Sequence, residues 1–319
     1  MTPEQMVRAA VPVLLGIAAS FLLDRMCAAR GLYPPGFRVP WRRMAAAAVV
    51  AGVFAVGIFA PLGGIGLSLE PDLSKITTPG LFALHFLMIG AMGLWFLLGW
   101  AGVAAPPQPL PVPVEPVPVE AVEYSVDEPG LLAPPVRRTS LGQQFAAQFG
   151  YRAPDVFREI GLGIVLGLAA WVAVLLALMA FAGLLWAVGG EDAVPQQPPS
   201  VVPFIAGLPI LIRMLISLSA GVVEESFFRG FLQPRIGILL STAFFALAHL
   251  SYGQPFLLIG ITLLSLIYAF LVKWRQNLWP SIAAHTLFDG VQLLIVVPGA
   301  LRLLQGAGVK TAAFLMGLV

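Results

Sequence analysis

Charged residues are scarce in this chain. Only 11% of its 319 residues are Asp, Glu, Lys or Arg, whereas 59% are hydrophobic, and the mean hydropathy is +0.90. A soluble domain of this length needs far more polar surface, so that class of protein is excluded. Short segments of alternating polarity, which a membrane β-barrel requires, are also missing. Apolar runs longer than about 18 residues recur instead, and each can cross a bilayer as a helix.

Cysteine is nearly absent, and two common catalytic motifs are missing. The one cysteine, Cys27, excludes an intrachain disulfide framework and a cysteine-based metal site. The sequence contains neither a G-x-S-x-G serine-nucleophile motif nor an H-E-x-x-H zinc motif. Any chemistry must therefore come from carboxylates, imidazoles and the few cations.

The first apolar stretch, residues 9–23, lacks the features of a cleaved signal peptide. The segment before it holds Arg8, offset by Glu4, and residues 24–30 contain no small-x-small cleavage site. We expect this stretch to be retained as the first membrane span.

The apolar runs predict an all-α polytopic membrane protein with about eight transmembrane helices. Their soft boundaries are residues 6–23, 44–67, 80–103, 160–188, 206–232, 236–253, 255–272 and 279–304. Basic residues concentrate in alternate connections: Arg25, Arg30, Arg38, Arg42, Arg43, Arg137, Arg138, Arg152, Arg158, Arg235, Lys273 and Arg275. By the positive-inside rule these connections are cytoplasmic, which places both termini outside. The prediction is an integral multi-pass protein, of the plasma or inner membrane if it is bacterial.

Composition divides the chain into four parts. Three N-terminal spans occupy residues 1–103, and a proline-rich stretch at 104–159 contains the tandem repeat "PVPVEPVPVE". Such a repeat favours polyproline II and cannot form a helix, so we expect a cytoplasmic linker, partly disordered. Five further spans fill residues 160–304, and 305–319 form a tail.

Ionisable side chains inside spans are costly and usually mark functional sites. In "EESFFR", residues 224–229, Glu225 and Arg229 lie four apart, so they share a helix face and can pair. Glu224 points about 100° away from Glu225, toward a different partner. The segments "FALAH" at 245–249 and "HTLFD" at 285–289 place histidines on two later spans.

Depth brings these groups together. Glu225 lies about 15 Å along a helix before the boundary marker Arg235, and His249 lies about 21 Å after it. His285 lies about 15 Å beyond Arg275, with Asp289 one turn deeper. Polar groups from three helices therefore reach similar depths, which independent structural residues have no reason to do.

Two other ionisable residues within spans are given structural roles. His85 has no partner motif, and we interpret it as a polar residue in helix packing. Arg213 is expected to extend to the membrane interface.

These parts suit hydrolysis of a peptide bond without a covalent intermediate. A carboxylate and an imidazole can remove a proton from water, and a second imidazole can stabilise an oxyanion. A zinc site formed by Glu224, His249 and His285 is the alternative, with one position open for water. Composition and spacing leave the two mechanisms open.

The three segments resemble the CAAX protease and bacteriocin-processing (CPBP) family, whose motifs are E-E-x-x-x-R, F-x-x-x-H and H-x-x-x-N/D in that order. The resemblance covers about residues 205–300 and implies an eight-helix core with a cavity open to the cytoplasm. It also implies roles for six residues. Glu224 would be the general base with His249, His285 and Asp289 would stabilise the oxyanion, and Glu225 and Arg229 would support them.

Position 289 departs from the Asn of eukaryotic prenyl endopeptidases. An ionised Asp289 cannot donate a hydrogen bond to an oxyanion, so its expected role is to fix the tautomer of His285.

The resulting prediction is an intramembrane endopeptidase of the CPBP type. Its expected partners are a membrane protein or peptide substrate and the lipid bilayer, with no nucleic acid. No cofactor is expected, zinc being the alternative. The alternative function is a non-enzymatic binding or immunity scaffold, or a transporter, built on the same polar cavity.

Overall fold

The computed structural model describes residues 2–64, 73, 76–102, 140–152, 155–194, 200–250 and 255–306. Every regular element in these ranges is helical. The PVPVE repeat and most of the tail predicted at 305–319 lie outside them. The α-helices are α1 (Pro3–Ala29), α2 (Pro40–Val53), α3 (Thr78–Leu81), α4 (Ala83–Trp100), α5 (Leu141–Phe149), α6 (Val156–Gly189), α7 (Val201–Ala206), α8 (Ile210–Ser219), α9 (Gln233–Ala248), α10 (Pro255–Arg275), α11 (Trp279–Val291) and α12 (Val297–Gly306).

Three π-helical segments extend α-helices without a break: π1 (Phe54–Ile58) after α2, π2 (Ala220–Leu232) after α8, and π3 (Gln292–Val296) after α11. Short 3₁₀ turns occupy Pro35–Arg38, Ala60–Gly64 and Glu191–Ala193. Seven helical stretches of the described residues are long and apolar enough to cross a membrane: Pro3–Ala29, Pro40–Ile58, Ala83–Trp100, Val156–Gly189, Ile210–Ala248, Phe256–Arg275 and Trp279–Arg302.

The longest stretch, Ile210–Ala248, is two passes rather than one. Gly237 interrupts it with φ 86° and ψ 171°, a backbone conformation that glycine adopts without steric cost. Beyond this point the chain folds back: Ser241 Oγ donates a hydrogen bond to the Phe228 carbonyl (2.6 Å), and the rings of Phe228 and Phe245 lie 5.0 Å apart. Residues 13 apart in an unbroken helix would be separated by about 20 Å. Counting this hairpin as two passes agrees with the eight predicted spans.

The basic connections meet at one end of the bundle. Arg30, after the first span, donates to the Pro234 carbonyl at the hairpin (3.1 Å), and the Leu278 amide donates to the Gly150 carbonyl (2.9 Å). Gly230 joins the two groups, since a Cβ at this position would lie 3.0 Å from Leu278 Cδ1. One end of the bundle therefore holds the segment before the fourth span together with the connections between spans 1 and 2, spans 5 and 6, and spans 7 and 8, as the charge pattern predicts.

The C-terminal end of the predicted linker is ordered structure. Ser140 caps α5 by accepting from the Gln143 amide, and Gly150 ends the helix in the left-handed conformation. Phe149 is fully buried, and its ring lies 6.2 Å from that of Phe231 on π2. This part of 104–159 packs on the bundle and is not a spacer.

The N-terminal and C-terminal spans share one aromatic core. Phe54 of π1 contacts Phe244 edge-on (centroids 5.3 Å apart), and Trp95 of α4 contacts Phe231 in the same way (5.2 Å). Such pairs each contribute about 0.5–1.5 kcal/mol beyond their buried area. The compositional boundary after residue 103 is therefore not a boundary in packing.

Arg235, used above as a marker of the membrane boundary, is buried at the hairpin with 1% of its surface exposed. Its guanidinium carbon lies against the rings of Trp95 and Phe231, 4.4 and 4.5 Å from their centroids. Aromatic faces thus replace water around this cation.

Small residues place α11 close to α6. A Cβ on Gly163 would lie against the Pro280 carbonyl, and one on Gly167 would lie 2.7 Å from the Ala284 Cα. Glycines spaced four apart allow such close approach between membrane helices. This contact fixes the helix that carries His285.

Candidate active site

Glu224 and Glu225 lie on π2, a 13-residue segment with the wider turn of a π-helix. π-Helical segments are rare and occur mostly at functional sites. Because adjacent residues point in different directions, the two carboxylates have separate surroundings.

Gly221, one turn before the glutamates, brings π2 against α11. A Cβ at this position would overlap the Thr286 hydroxyl and lie 2.9 Å from the Ile282 carbonyl. Only glycine allows this approach, which sets Glu225 beside His285.

Glu225 belongs to a fully buried network. Its Oε1 lies 3.1 Å from Arg229 Nη1, as predicted from the spacing, and 2.9 Å from His285 Nδ1. The side chains of Glu225 and Arg229 are 0% and 1% exposed. A buried ion pair of this kind needs further hydrogen bonds to offset its desolvation, and His285 supplies one.

Arg229 is enclosed by aromatic rings and a carbonyl group. Its guanidinium carbon lies 4.3 Å from the Phe245 ring centroid and 5.7 Å from that of Tyr268, and Nη2 donates to the Ser265 carbonyl (3.4 Å). These contacts hold the cation on Glu225.

Glu224 lies between two histidines. Its Oε2 is 3.9 Å from His249 Nε2, and its Oε1 is 3.3 Å from His85 Nε2. The first separation exceeds a hydrogen bond. His249 Nδ1 donates to the Phe245 carbonyl (2.7 Å), because a carbonyl oxygen can only accept. In the neutral ring, the lone pair on Nε2 therefore faces Glu224.

His285 has a different partner from the one expected. Asp289 was predicted to fix its tautomer, but Nδ1 donates to Glu225, and Asp289 Oδ2 lies 3.7 Å from Nε2. The ring of Tyr268 stacks on His285 with centroids 5.2 Å apart and an interplanar angle of 24°. The tautomer is thus set by Glu225, and Nε2 can donate only when the ring carries both protons.

The site opens into a cavity of about 330 Å³. Four of the six predicted residues line it: Glu224, His249, His285 and Asp289. Glu225 and Arg229 are not among the lining residues and support the site from behind. The remaining wall is mostly apolar, formed by residues that include Val174, Leu178, Val202, Ile205, Ile216, Leu257, Ile261, Leu264 and Phe288.

Sequence reasoning missed His85. This residue of α4 was interpreted as a packing residue, but it lines the cavity and contacts Glu224. The available signal was that it is one of three histidines and lies inside a span. Arg213 was expected to extend to the membrane interface; in the structure its Nη1 donates to the Leu293 carbonyl (2.9 Å), and its Nε is buried.

The two histidines of the zinc alternative contact different glutamates. His249 faces Glu224, whereas His285 bonds to Glu225. Over the described ranges, no three His, Cys, Asp or Glu side chains are arranged to hold one metal ion.

Fold and site together define a multi-pass helical membrane protein with a carboxylate–imidazole site buried inside the bundle. Comparison with known proteins shows which family the segment carrying this site is similar to. Residues 205–291 match the family model described as type II CAAX prenyl endopeptidase Rce1-like. This matched segment contains the three motifs on which the resemblance to the CPBP family rests.

One curated relative is similar to this chain over a segment about as long as the family match. It is described as uncharacterized protein YpbD of Bacillus subtilis (strain 168), and it is 33% identical over 79 residues. The match covers 24% of this chain and 42% of the relative, so this chain spans less than half of that protein. No solved structure matches the chain significantly.

Proposed function

We propose that this chain is an intramembrane endopeptidase in which Glu224 and His249 activate a water molecule. The observation that carries this proposal is the pair of atoms Glu224 Oε2 and His249 Nε2, which face each other 3.9 Å apart at a cavity between helices. The family match supports the same reaction class.

The water oxygen attacks the carbonyl carbon of the scissile amide. Glu224 and the Nε2 lone pair of His249 remove one water proton, which general-base catalysis requires. That proton passes to the amide nitrogen, the C–N bond breaks, and the amine leaves. The other water hydrogen stays on the new carboxyl group, so the atoms balance without a covalent intermediate.

His285 and Asp289 act on the developing oxyanion. His285 lines the cavity, and its Nε2 would donate to the oxyanion when the ring carries both protons, since its Nδ1 hydrogen is held by Glu225. Asp289 Oδ2, 3.7 Å from Nε2, is the group that would hold this second proton before substrate binds.

The substrate class is a membrane protein or membrane-associated peptide. The cavity wall is mostly apolar and its polar groups gather around Glu224, which suits a substrate that enters from the bilayer and presents one peptide bond. The matching family model is that of a prenyl endopeptidase, so prenylated membrane-associated proteins are one form of this substrate class.

A comparison of membrane peptides tests the proposal. We expect a peptide or protein that is cleaved in wild-type membranes to accumulate uncleaved in a Glu224→Gln strain. A Glu4→Gln strain is the matched control, because Glu4 is an exposed glutamate on α1 with 73% of its side chain accessible. If Glu224→Gln and His249→Ala both leave every cleavage unchanged, the chain is not a protease of this kind.

Chelation separates the two mechanisms. His249 faces Glu224, whereas His285 bonds to Glu225. We therefore expect purified protein to retain cleavage of that peptide after exhaustive chelation. Loss of activity that returns when zinc is added would replace the metal-independent mechanism with a zinc mechanism.

A further inference from the structure

His85 lies outside the family-matched segment but contacts its central carboxylate. Nδ1 of His85 lies 3.0 Å from Ser219 Oγ, and Nε2 lies 3.3 Å from Glu224 Oε1. The side chains of His85 and Glu224 are 12% and 14% exposed. The ring is therefore held at both nitrogens by the segment that carries the candidate base.

The hydrogen-bond network determines which nitrogen carries a proton. Ser219 Oγ donates its single hydrogen to the Ile216 carbonyl (3.0 Å). Its oxygen can then only accept, so His85 Nδ1 is the donor. Nε2 consequently faces a carboxylate oxygen, and two bare acceptors at this distance repel. One proton must lie between Nε2 and Oε1, on the ring or on the carboxyl group.

This contact leaves the two oxygens of Glu224 with different roles. Oε1 is committed to His85, and Oε2 is directed at His249. Without His85, the carboxylate could rotate about its terminal torsion, which is broad for glutamate.

We propose that His85 is a positioning residue that holds Oε1 of Glu224 so that Oε2 faces His249. The N-terminal three spans are then a required part of the site, since α4 supplies this side chain. This requirement for the N-terminal spans rests on the proposed protease function, whereas the contact between His85 and Glu224 is independent of it.

The chain suits a direct test because it has three histidines, all in this cavity. The full chain is labelled with ¹⁵N-histidine, reconstituted in lipid nanodiscs, and its ring nitrogens are assigned with His85→Gln, His249→Gln and His285→Gln. We expect Nδ1 of His85 to be protonated. We also expect Glu224→Gln to move the Nε2 resonance of His85 more than either resonance of His285, which bonds to Glu225. If Glu224→Gln leaves His85 unmoved, or moves His285 as much, the proposal is wrong.

Kinetics tests the positioning role. With the peptide identified above as substrate, we expect His85→Leu to lower kcat about 10- to 100-fold with little change in KM. Loss of the orientation of the Glu224 carboxylate affects the chemical step more than substrate binding. His85→Gln, which can still donate to Oε1, should restore part of kcat. Gly90→Ala is the control on the same helix, because a Cβ there meets nothing within 4 Å.

The outcomes separate the two proposals. If Glu224→Gln abolishes cleavage while His85→Leu keeps full kcat, the protease stands and His85 has no positioning role. If Glu224→Gln and His249→Ala both keep full activity, the protease proposal fails, while the NMR result still decides whether His85 and Glu224 share a proton.

Discussion

Two adjacent glutamates of π2 lie in opposite surroundings. Glu225, Arg229 and His285 form a closed side: His285 donates to Glu225, Arg229 pairs with the same carboxylate oxygen, and an aromatic ring lies against the arginine. Glu224, His85 and His249 form an open side, where the carboxylate has one longer contact on each oxygen and borders a cavity.

The difference shows how a membrane site can be both rigid and reactive. Groups that hold a site are themselves locked by packing and hydrogen bonds. The closed side joins π2 to α11, and the open side leaves one carboxylate oxygen for the proposed chemistry. Strong charges in the same segment therefore serve different ends, and substitutions can separate them.

The largest expected effect is the difference in stability between Glu225→Gln and Glu224→Gln, each of which replaces one carboxylate oxygen with an amide nitrogen. Glu225→Gln leaves Arg229 buried without a counter-charge, and breaking such a pair costs about 3–5 kcal/mol. Glu224→Gln should change stability little, because active-site polar groups are rarely optimised for stability. Thermal unfolding of both purified variants in detergent measures the contrast. Equal melting temperatures for the two variants would remove the distinction between the sides.

A smaller effect is expected where the segment meets α11. Gly221→Ala must displace Thr286 or the Ile282 carbonyl, and overpacking of this kind costs about 1–3 kcal/mol. It should also lower activity, because it moves Glu225 from His285. Gly90→Ala, which faces open space, should leave both properties unchanged. A Gly221→Ala protein with wild-type stability and activity would show that this contact is not tight.

Sequence reasoning predicted the contacts within one helix well. The four-residue spacing of Glu225 and Arg229 was sufficient to predict their ion pair. Because Glu224 points about 100° away from Glu225, it was expected to face a different partner, which is His249. The family motifs and the span count were also confirmed.

Contacts between distant helices were not predictable in the same way. His285 joins Glu225, 60 residues earlier, because Gly221 allows close approach, and no spacing rule encodes that. His85 is 139 residues before Glu224 and belongs to a span without a motif. The π-helical turn of π2 also has no signal in the residue pattern.

The smallest effect is expected in the middle of π2, where Tyr151 hydrogen-bonds to Ser226. Tyr151→Phe should cost about 1 kcal/mol, the usual contribution of one hydrogen bond. Burial raises the pKa of the Tyr151 phenol above its usual value. The folded protein therefore retains the phenol proton to a higher pH than the unfolded chain does. The stability that the protonated Tyr151 contributes is lost as the pH rises above about 10.

Melting temperatures of wild type and Tyr151→Phe between neutral and alkaline pH test this prediction. The difference between them should be constant near neutrality and shrink above about pH 10. A constant difference over the whole range would mean that the phenol does not titrate differently in the folded protein.

The enclosure of Arg235 bears on the order in which the protein is made. Its guanidinium rests on Trp95, which is synthesised 140 residues earlier, and on Phe231, four residues before it. Chains emerge from the ribosome N-terminal end first. Trp95 is therefore synthesised before the arginine that it covers, and the third span supplies one wall of the site that Arg235 occupies at the hairpin.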